Sequence, residues 1–468
     1  MLRFFKQNDK ELFRWCGVIQ SSVIKPLYSK CDFTSNDINS LVQFCFPIGQ
    51  PISGPLFFVF RFRPSNGKFY NVFCLLDQTS FQLKDMDMNQ QSVICLITEF
   101  YHADVYEEIL KAVRSLLLHS IPTTERFLKA IINSPESINN IPCLTELFQY
   151  HNMTNYNAYD LEYRSYSSND LFLKQIVKLA VELLPSAKIG RLIVALLTDT
   201  PIIVISSDLS KLSRFCYSLI GLIYPLSWHH IFAPVLPIDF IDSISSPAPF
   251  IVGLHRALVR KAMNCDIEGH LLIDIDEPNG CTFTERNLPS ISPYANQLIL
   301  RLQKSSRTAH SNNYPFNSGN ITNNGNNSQM TLADLRIFIV LLVCACLGTQ
   351  PSNNRSATVK RILYSLENSK LDTNSFACSL LQSRTMRSFF DALRERTVPQ
   401  EFATMISLAN LSNVTSLAIQ NVEEFPLKGK SSSTIQRSSS SAPLPDGKSH
   451  KYKTLPNSNS FPSAADST

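Results

Sequence analysis

The apolar positions of this chain change period along its length, and each change marks an element. Between residues 42 and 98 they come in short runs broken by turn residues, which predicts strands at Gln43–Pro47, Leu56–Phe62, Phe69–Leu76 and Ser92–Thr98. Pro64-Ser65-Asn66-Gly67 joins the second to the third, and its Asn-Gly pair suits the positive φ of a hairpin turn. From Val105 to Leu118 the spacing becomes helical, with Val105, Ile109, Val113, Leu116 and Leu117 on one stripe. A β-meander followed by a helix predicts a small α+β lobe. Residues 1–35 carry a mixed pattern, with a short helix expected around Glu11–Cys16.

A connecting stretch follows from Ile121 to Arg164, with short helices expected at Thr124–Ile132 and Cys143–Tyr150. The polar patch Tyr163–Asn169 leads into a helix, Leu171–Leu184, ended by Pro185. The chain is organised around what comes next. Ile202–Ile205 is an apolar β-branched run that reads as a buried strand, and Ser206, Ser207 and Asp208 are turn and N-cap residues before an apolar-periodic helix, Leu212–Ile223. Tyr224-Pro225 stops that helix. A second strand, Ile231–Leu236, is cut by Pro234 and closed by Pro237, and Pro247-Ala248-Pro249 fixes a rigid loop with Phe250 plugged into the core. A third strand, Leu271–Asp276, ends in the turn Glu277–Gly280. Strands alternating with helices predict a largely parallel sheet, whose binding loops gather at the carboxyl ends of its strands. Those ends carry Ser206–Asp208, Pro237 and Asp274–Asp276.

Beyond a helix at Tyr294–Leu302 the pattern vanishes. Ser305–Gln329 is dense in Asn, Ser and Gly and has too little apolar surface to offset its ordering entropy, so a disordered surface insertion is expected. Helical periodicity returns at Thr331–Leu347, with Thr331 as N-cap, then at Ala357–Asn368, Thr373–Leu381, Met386–Arg394 and Pro399–Leu408. After about Ile419 the chain is rich in Ser, Pro and Lys. Lys428, Lys430, Arg437, Lys448, Lys451 and Lys453 against Asp446 and Asp466 make a basic, disordered tail.

Composition narrows the function. The 468 residues are enough for two or three cores, and the net charge of +5 is spread rather than striped, which argues against a nucleic-acid partner. Twelve cysteines include no CxxC pair, the closest being Cys344-Ala345-Cys346, so free buried thiols in a reducing compartment are expected rather than zinc, and no metal or cofactor is assigned. Met1-Leu2-Arg3-Phe4-Phe5-Lys6 has no apolar signal core, and Ile337–Leu347 falls well short of the ~20 residues of a membrane span, so the chain reads as cytoplasmic. No GxSxG or HExxH motif occurs. Lys428-Gly429-Lys430-Ser431 imitates the end of a P-loop, but Glu424 stands where the first glycine belongs and no strand precedes it.

Each candidate residue has a plain structural reading beside the functional one. Ser206, Ser207 and Asp208 either contact a partner or cap the following helix, and the cap is favoured. Trp228 and His229 are either an exposed contact pair or a packed indole beside an imidazole bonded to a carbonyl. His255 reads as a buried, hydrogen-bonded residue. Asp274 and Asp276 share one strand face, where capping or loop-fixing is favoured over metal binding. Arg61 and Arg63 alternate with Phe60 and Phe62, as solvent-facing strand residues do. Ser438 and Ser441 follow Arg437 and are candidate phosphorylation sites for a phospho-dependent adaptor, against the alternative of a plain solvating tail.

Five segments in this order resemble the core of a DENN domain, the module of guanine-nucleotide exchange factors for Rab GTPases: Ile202–Ser210, Tyr224–His229, Ala233–Pro237, Ala248–Gly253 with His255, and Ile273–Asp276. Phe44–Pro47 and Val93–Leu118 resemble the upstream segment, and Leu335–Leu347 with Phe376, Met386–Phe390 and Arg394 the downstream one. The resemblance implies an α/β fold with two lobes, the first an α+β longin-like lobe and the second an α/β lobe with a mostly parallel sheet and an all-α C-terminal part. The corresponding spans are 36–120 for the longin-like lobe, 121–170 for the connection and 171–303 for the core lobe. They continue with 304–330 for the insertion, 331–410 for the helical segment and 420–468 for the tail. It implies a Rab-family GTPase bound between the lobes, recruitment to vesicle or endosomal membranes, and regulation of traffic without bond chemistry in the protein. The expected contacts are Ser206, Asp208, Trp228, His229 and Asp274, taken as exposed at the carboxyl edge of the sheet. Two alternatives stand beside exchange. One is a GTPase-activating protein with Arg61 or Arg63 as a finger, as in relatives of the same clan. The other is a non-catalytic Rab or membrane scaffold.

Overall fold

The computed structural model describes residues 12–20, 23–30, 33–49, 54–78, 86, 90–133, 169–277, 282–283, 332–347, 349, 354–368, 376–395 and 400–411. The helices expected at Cys143–Tyr150 and Tyr294–Leu302, the insertion Ser305–Gln329 and the tail with Ser438 and Ser441 lie outside them.

The first half of the chain builds an antiparallel five-stranded sheet from β1 (Trp15–Gln20), β2 (Val23–Ser29), β3 (Leu56–Phe62), β4 (Tyr70–Asp77) and β5 (Ser92–Thr98), in the order β2-β1-β5-β4-β3. Helices cover both faces. Phe73 of β4 stacks on Tyr106 of α2 (Ala103–Leu117) at 4.4 Å, while its neighbour Cys74 points the other way, to Cys45 of α1 (Ser35–Cys45). Both faces being dry, β1, β4 and β5 read as continuous apolar runs rather than alternating ones. Helix α3 (Ile121–Asn133) follows against α2 and β2.

Helices α4 (Asn169–Leu183) and α5 (Ser186–Leu197) lead to the second sheet: β6 (Ile202–Ser206), β7 (Ile231–Ala233), β8 (Phe250–His255), β9 (Leu271–Asp274) and β10 (Thr282–Phe283). Its order is β10-β9-β6-β8-β7, parallel except for β10. Ile202 and Val204 face the main core, and Ile203 and Ile205 face a smaller one under the 3-10 run Ile238–Ser245. The C-terminal helices are α7 (Leu332–Cys346), α8 (Arg355–Asn368), α9 (Phe376–Gln382), α10 (Arg384–Arg394) and α11 (Gln400–Leu411). The α/β reading therefore holds, with an antiparallel sheet, a parallel sheet and a helical end.

Helix α6 (Leu209–Leu222) belongs to both sheets, and nearly all round it is buried. It follows β6, packs on β8, and also covers the edge strand β3, where Ser213 Oγ accepts the Val59 N–H at 3.3 Å. Further along, Tyr217 stacks on Tyr101 at 3.8 Å and donates its hydroxyl to Asn71 Oδ1 at 2.6 Å. Arg214 pairs with Asp104 and Glu107 of α2.

Several expectations are corrected. The helix expected at Glu11–Cys16 gives way to strand β1, whose Trp15, Cys16, Val18 and Ile19 are buried on both faces and so show no period of two. The strand expected at Gln43–Pro47 is the end of α1. Thr34 and Asp37 form a capping box there, and Asp37, Leu41 and Cys45 are buried at a spacing of four. Phe250, expected to plug into the core behind the Pro247–Pro249 loop, is buried and opens a central strand not expected there, Phe250–His255, while the strand expected at Ile231–Leu236 stops at Ala233 because Pro234 cannot extend a ladder.

Candidate functional site

Two polar regions stand out, at opposite ends of the second sheet. At the carboxyl end the backbone turns from β6 into α6, and Asp208 caps the helix by accepting from Ser210 N at 2.7 Å and Lys211 N at 3.1 Å. Beside it Asp276 gathers donors: Ser206 Oγ at 2.7 Å, Ser207 N at 2.6 Å, Ser207 Oγ at 2.8 Å and Arg256 Nε at 3.2 Å. Desolvation raises the Asp276 pKa, but the hydrogen bonds from Ser206 and Ser207 outweigh it and bring it to about 2. Arg256 also pairs with Asp274, and Lys211 Nζ donates to Ile275 O at 2.6 Å. His255 Nδ1 accepts from Ala257 N, so Nε2 carries the proton it donates to Ser207 O at 2.8 Å. Burial, the largest cause, lowers the His255 pKa and keeps the imidazole neutral. Each of these charges is held by a neighbour.

At the amino end lies a groove of about 630 Å³ between the two sheets. One wall is the β3–β4 hairpin, with Arg61, Arg63 and Phe69. The other is Ser227–Phe232 with Ala248 and Pro249, and Arg384 closes the end. The hairpin turns at Gly67, φ +75°, and Asp37 of α1 anchors it by accepting Ser65 N and Ser65 Oγ, both at 2.8 Å. Phe69 holds both arginines: the Arg61 guanidinium lies 4.0 Å and that of Arg63 5.1 Å from its ring centroid. Arg63 Nε donates to Gly67 O at 3.1 Å. Neither arginine, nor Arg384, makes an ion pair with a carboxylate among the described residues. Asp199, in the left-handed region at φ 54°, accepts Arg384 N at 2.6 Å and Thr385 Oγ at 2.7 Å, which fixes the start of α10 here. His230 Nε2 lies 3.0 Å from Asp199 Oδ2 without the alignment of a hydrogen bond. Desolvation first, then the charge of Arg384, lowers the His229 pKa.

The structure thus splits the residues singled out in the sequence. Ser206, Asp208 and Asp274 are at the carboxyl edge, whereas Trp228 and His229 precede β7 and lie at the amino end with Arg61 and Arg63. The expectation that all five contact candidates are exposed is corrected. Ser206 is 0% and Trp228 1% exposed, the indole donating to Ile231 O at 3.1 Å, while His229 is exposed. Sequence reasoning missed Phe69, Ile231 and Arg384 as groove residues. Phe69 and Ile231 were readable only as strand positions, and nothing local to Arg384 announces that α10 starts beside the first sheet.

Among the described residues, Cys45, Cys74 and Cys95 form one group of potential metal ligands, with Sγ atoms within 4.8 Å of one another. Cys95 Sγ is 3.4 Å from each of the other two, and all three are wholly buried. A thiolate–metal unit carries net charge, and among the described residues no cation stands beside these thiols to balance it, so they fit neutral core packing better than metal binding. No helix among the described residues is long and apolar enough to cross a membrane.

Comparison with known proteins agrees with the resemblance. Residues 89–278 match the DENN (AEX-3) domain family. The chain is 33% identical over 86 residues to DENN domain-containing protein 1B of Homo sapiens, covering 18% of this chain and 11% of that protein. It is 38% identical over 81 residues to DENN domain-containing protein 2A of Mus musculus, covering 17% and 8%. With DENN domain-containing protein 2B of Homo sapiens the identity is 35% over 85 residues, covering 18% and 8%. The match therefore spans about a tenth of the length of these relatives.

Proposed function

We propose that this chain, which carries a DENN domain at residues 89–278 and is homologous to DENN domain-containing proteins, is a guanine-nucleotide exchange factor for a Rab-type small GTPase. The observation that carries the reading is the family match, which runs from α2 and β5 of the first sheet through α6 to β9 of the second. It thus spans the junction at which a GTPase would contact both. No bond chemistry is required of the protein. A surface that binds the nucleotide-free GTPase more tightly than the nucleotide-bound form draws the switch segments away from GDP and its magnesium, and abundant GTP then displaces the exchange factor. Recruitment to a vesicle membrane belongs to the same reading.

The test is release of a fluorescent GDP analogue from a panel of Rab proteins. Acceleration on one or two members is expected, and a folded chain that accelerates none of them sinks the reading. A second reading, GTPase activation, rests on Arg61 and Arg63 standing in the groove without carboxylate partners among the described residues. An arginine finger there would raise GTP hydrolysis by orders of magnitude. Hydrolysis and release measured side by side on the same panel separate the two: an activator raises GTP hydrolysis without accelerating release of the GDP analogue, and an exchange factor does the reverse.

A further inference from the structure

We propose that the groove at the amino end of the second sheet is a binding site for a phosphorylated small molecule, whose phosphate monoester is gripped by Arg61, Arg63 and Arg384. The ligand chemistry is that of a polyol phosphate, free or displayed as a lipid headgroup. The site stands apart from the exchange reading, since nothing in it requires a GTPase.

Three observations converge. The first is the balance of charge. Arg61, Arg63 and Arg384 line about 630 Å³ together with His229 and His230, and among the described residues no aspartate or glutamate lines the same space. Asp199, beside His230, is already engaged by Arg384 N and Thr385 Oγ at the start of α10. The smaller cavity between α2 and α4, about 240 Å³, is built the other way, because its Arg214 is paired with Asp104 and Glu107. The second observation is that a cation is held out of water without a counter-ion. Burial, the largest cause, lowers the Arg61 pKa, and the opposing influence comes from Tyr217 rather than from a carboxylate. A charge withdrawn from water is costly until an opposite charge meets it, and an anion in the groove would do so. The third is order. Arg61 and Arg63 stand two apart and so project to one side of the hairpin, where the Phe69 ring holds both guanidiniums and Gly67 O fixes Arg63 Nε. Little side-chain freedom remains to be lost on binding.

The donor set selects the ligand. Guanidinium forks pair bidentately with phosphate oxygens, and a phosphate monoester brings about two negative charges and three acceptors to a site with three cations, where a carboxylate brings one charge. The volume lies within the roughly 300–1,000 Å³ of small-molecule sites. Phe69 and Ile231, 50% and 53% exposed on opposite walls, flank the carbon skeleton that carries the phosphate.

The experiment uses the full chain and two probes, soluble inositol trisphosphate and phosphatidylcholine vesicles carrying phosphatidylinositol bisphosphate. Calorimetry is expected to show the trisphosphate binding to wild type, and Arg63→Ala and Arg384→Ala should each weaken it about tenfold, as loss of one charge-assisted contact does. Arg63→Lys keeps the charge without the fork and should fall between. Arg260→Ala, at an exposed position on the helical turn Val259–Ala262, controls for net charge and should bind as wild type does. Unfolding midpoints check that each variant is folded. Vesicle flotation identifies the source of the phosphate. Recruitment that is lost in the same variants assigns it to a lipid, and trisphosphate binding without recruitment assigns it to a soluble molecule; the site stands in both cases. A folded wild-type chain that binds neither probe overturns the proposal. So do folded groove variants that bind the trisphosphate within twofold of wild type, or an Arg260→Ala loss as large as theirs. Equal recruitment by phosphatidylserine vesicles of matched charge also overturns it, because the attraction would then be net charge alone.

Discussion

The two ends of the second sheet use the same kinds of side chain to opposite effect. At the carboxyl end, Asp274 and Asp276 are matched with Arg256, two serines and a lysine, and the result is a closed network that fixes how β6, β8 and β9 meet α6. At the amino end, three arginines have no carboxylate to hold among the described residues and lie beside exposed Phe69 and Ile231. Charge that is satisfied internally stabilises a fold, whereas charge left open at an apolar cleft is available to a partner. The parallel-sheet rule points to the carboxyl end as the binding end. In this chain the charges at that end are engaged with one another, and a groove opens where the second sheet meets the first.

The largest effect should come from the strand that connects the two ends. A Cβ on Gly253 of β8 would lie 2.0 Å from Pro234 O and 3.0 Å from Leu212 Cγ, and a backbone carbonyl cannot step aside as a flexible side chain can. Gly253→Ala should cost about 3 kcal/mol, the upper range of overpacking, and push the β7 segment with Ile231 out of place. Chemical denaturation reads the first effect and GTPase binding the second. A variant as stable as wild type would mean that the groove wall is not held by this contact.

Asp276→Ala comes next. It leaves Ser206 Oγ, which belongs to a residue 0% exposed, without its acceptor and removes one of the two carboxylates on Arg256. Loss of about 2–3 kcal/mol is expected in urea unfolding, because buried donors lose a charged acceptor. If Asp276→Ala instead slowed exchange with no change in stability, the network would be a contact surface after all, and the contrast between the two ends would collapse.

How these regions were legible differs in the same way. The carboxyl edge could be read almost residue by residue, because capping and strand-end aspartates act within a few positions: Asp208 sits at the helix start, and Asp274 and Asp276 at the end of β9. Strands β3 and β5 were legible for the same local reason, their apolar runs ending at turn residues. Helix α1 was not, since Phe44-Cys45-Phe46 looks like a strand while the capping box at Thr34 and the helix–sheet contacts of Leu41 and Cys45 decide otherwise. The groove could be read only as separate candidates, Arg61 and Arg63 on one side and Trp228 and His229 on the other, because it joins a hairpin near residue 63, a loop near 229 and a helix start at 384, and no local pattern relates those three. Trp228 shows the cost: its type suggested an exposed anchor, and its burial places it inside the wall.

The groove arginines should matter little to stability. Arg61→Ala removes a cation–π contact at a half-buried position, and Arg63→Ala a weaker one with a hydrogen bond to Gly67 O, so each should cost less than about 1 kcal/mol. Together with the Asp276 variant this sharpens the contrast, since one end should change unfolding and the other should change only binding. A large loss of stability from Arg63→Ala would show that the hairpin depends on the arginine it displays.

The finest test is the acid limb of stability. The Asp276 pKa is held at about 2 in the folded chain against 3.8 for an unperturbed aspartate. Over that interval the unfolded chain takes up a proton that the folded chain refuses, so the contribution is complete above the unfolded value and is lost as pH falls through 3.8 toward about 2. Asp276→Asn has no such proton to take up. At neutral pH it should be the less stable protein, and the gap to wild type should narrow on acidification by on the order of 1 kcal/mol, since the carboxylate lies near solvent and its interactions are screened. Asp37 also lies at about 2 and titrates in the same window, so the difference between the two proteins, rather than either curve, isolates Asp276. A gap that stays constant from neutral pH to 2 would mean that the Asp276 charge does not hold the carboxyl edge together, and that its serine and arginine partners do so by shape alone.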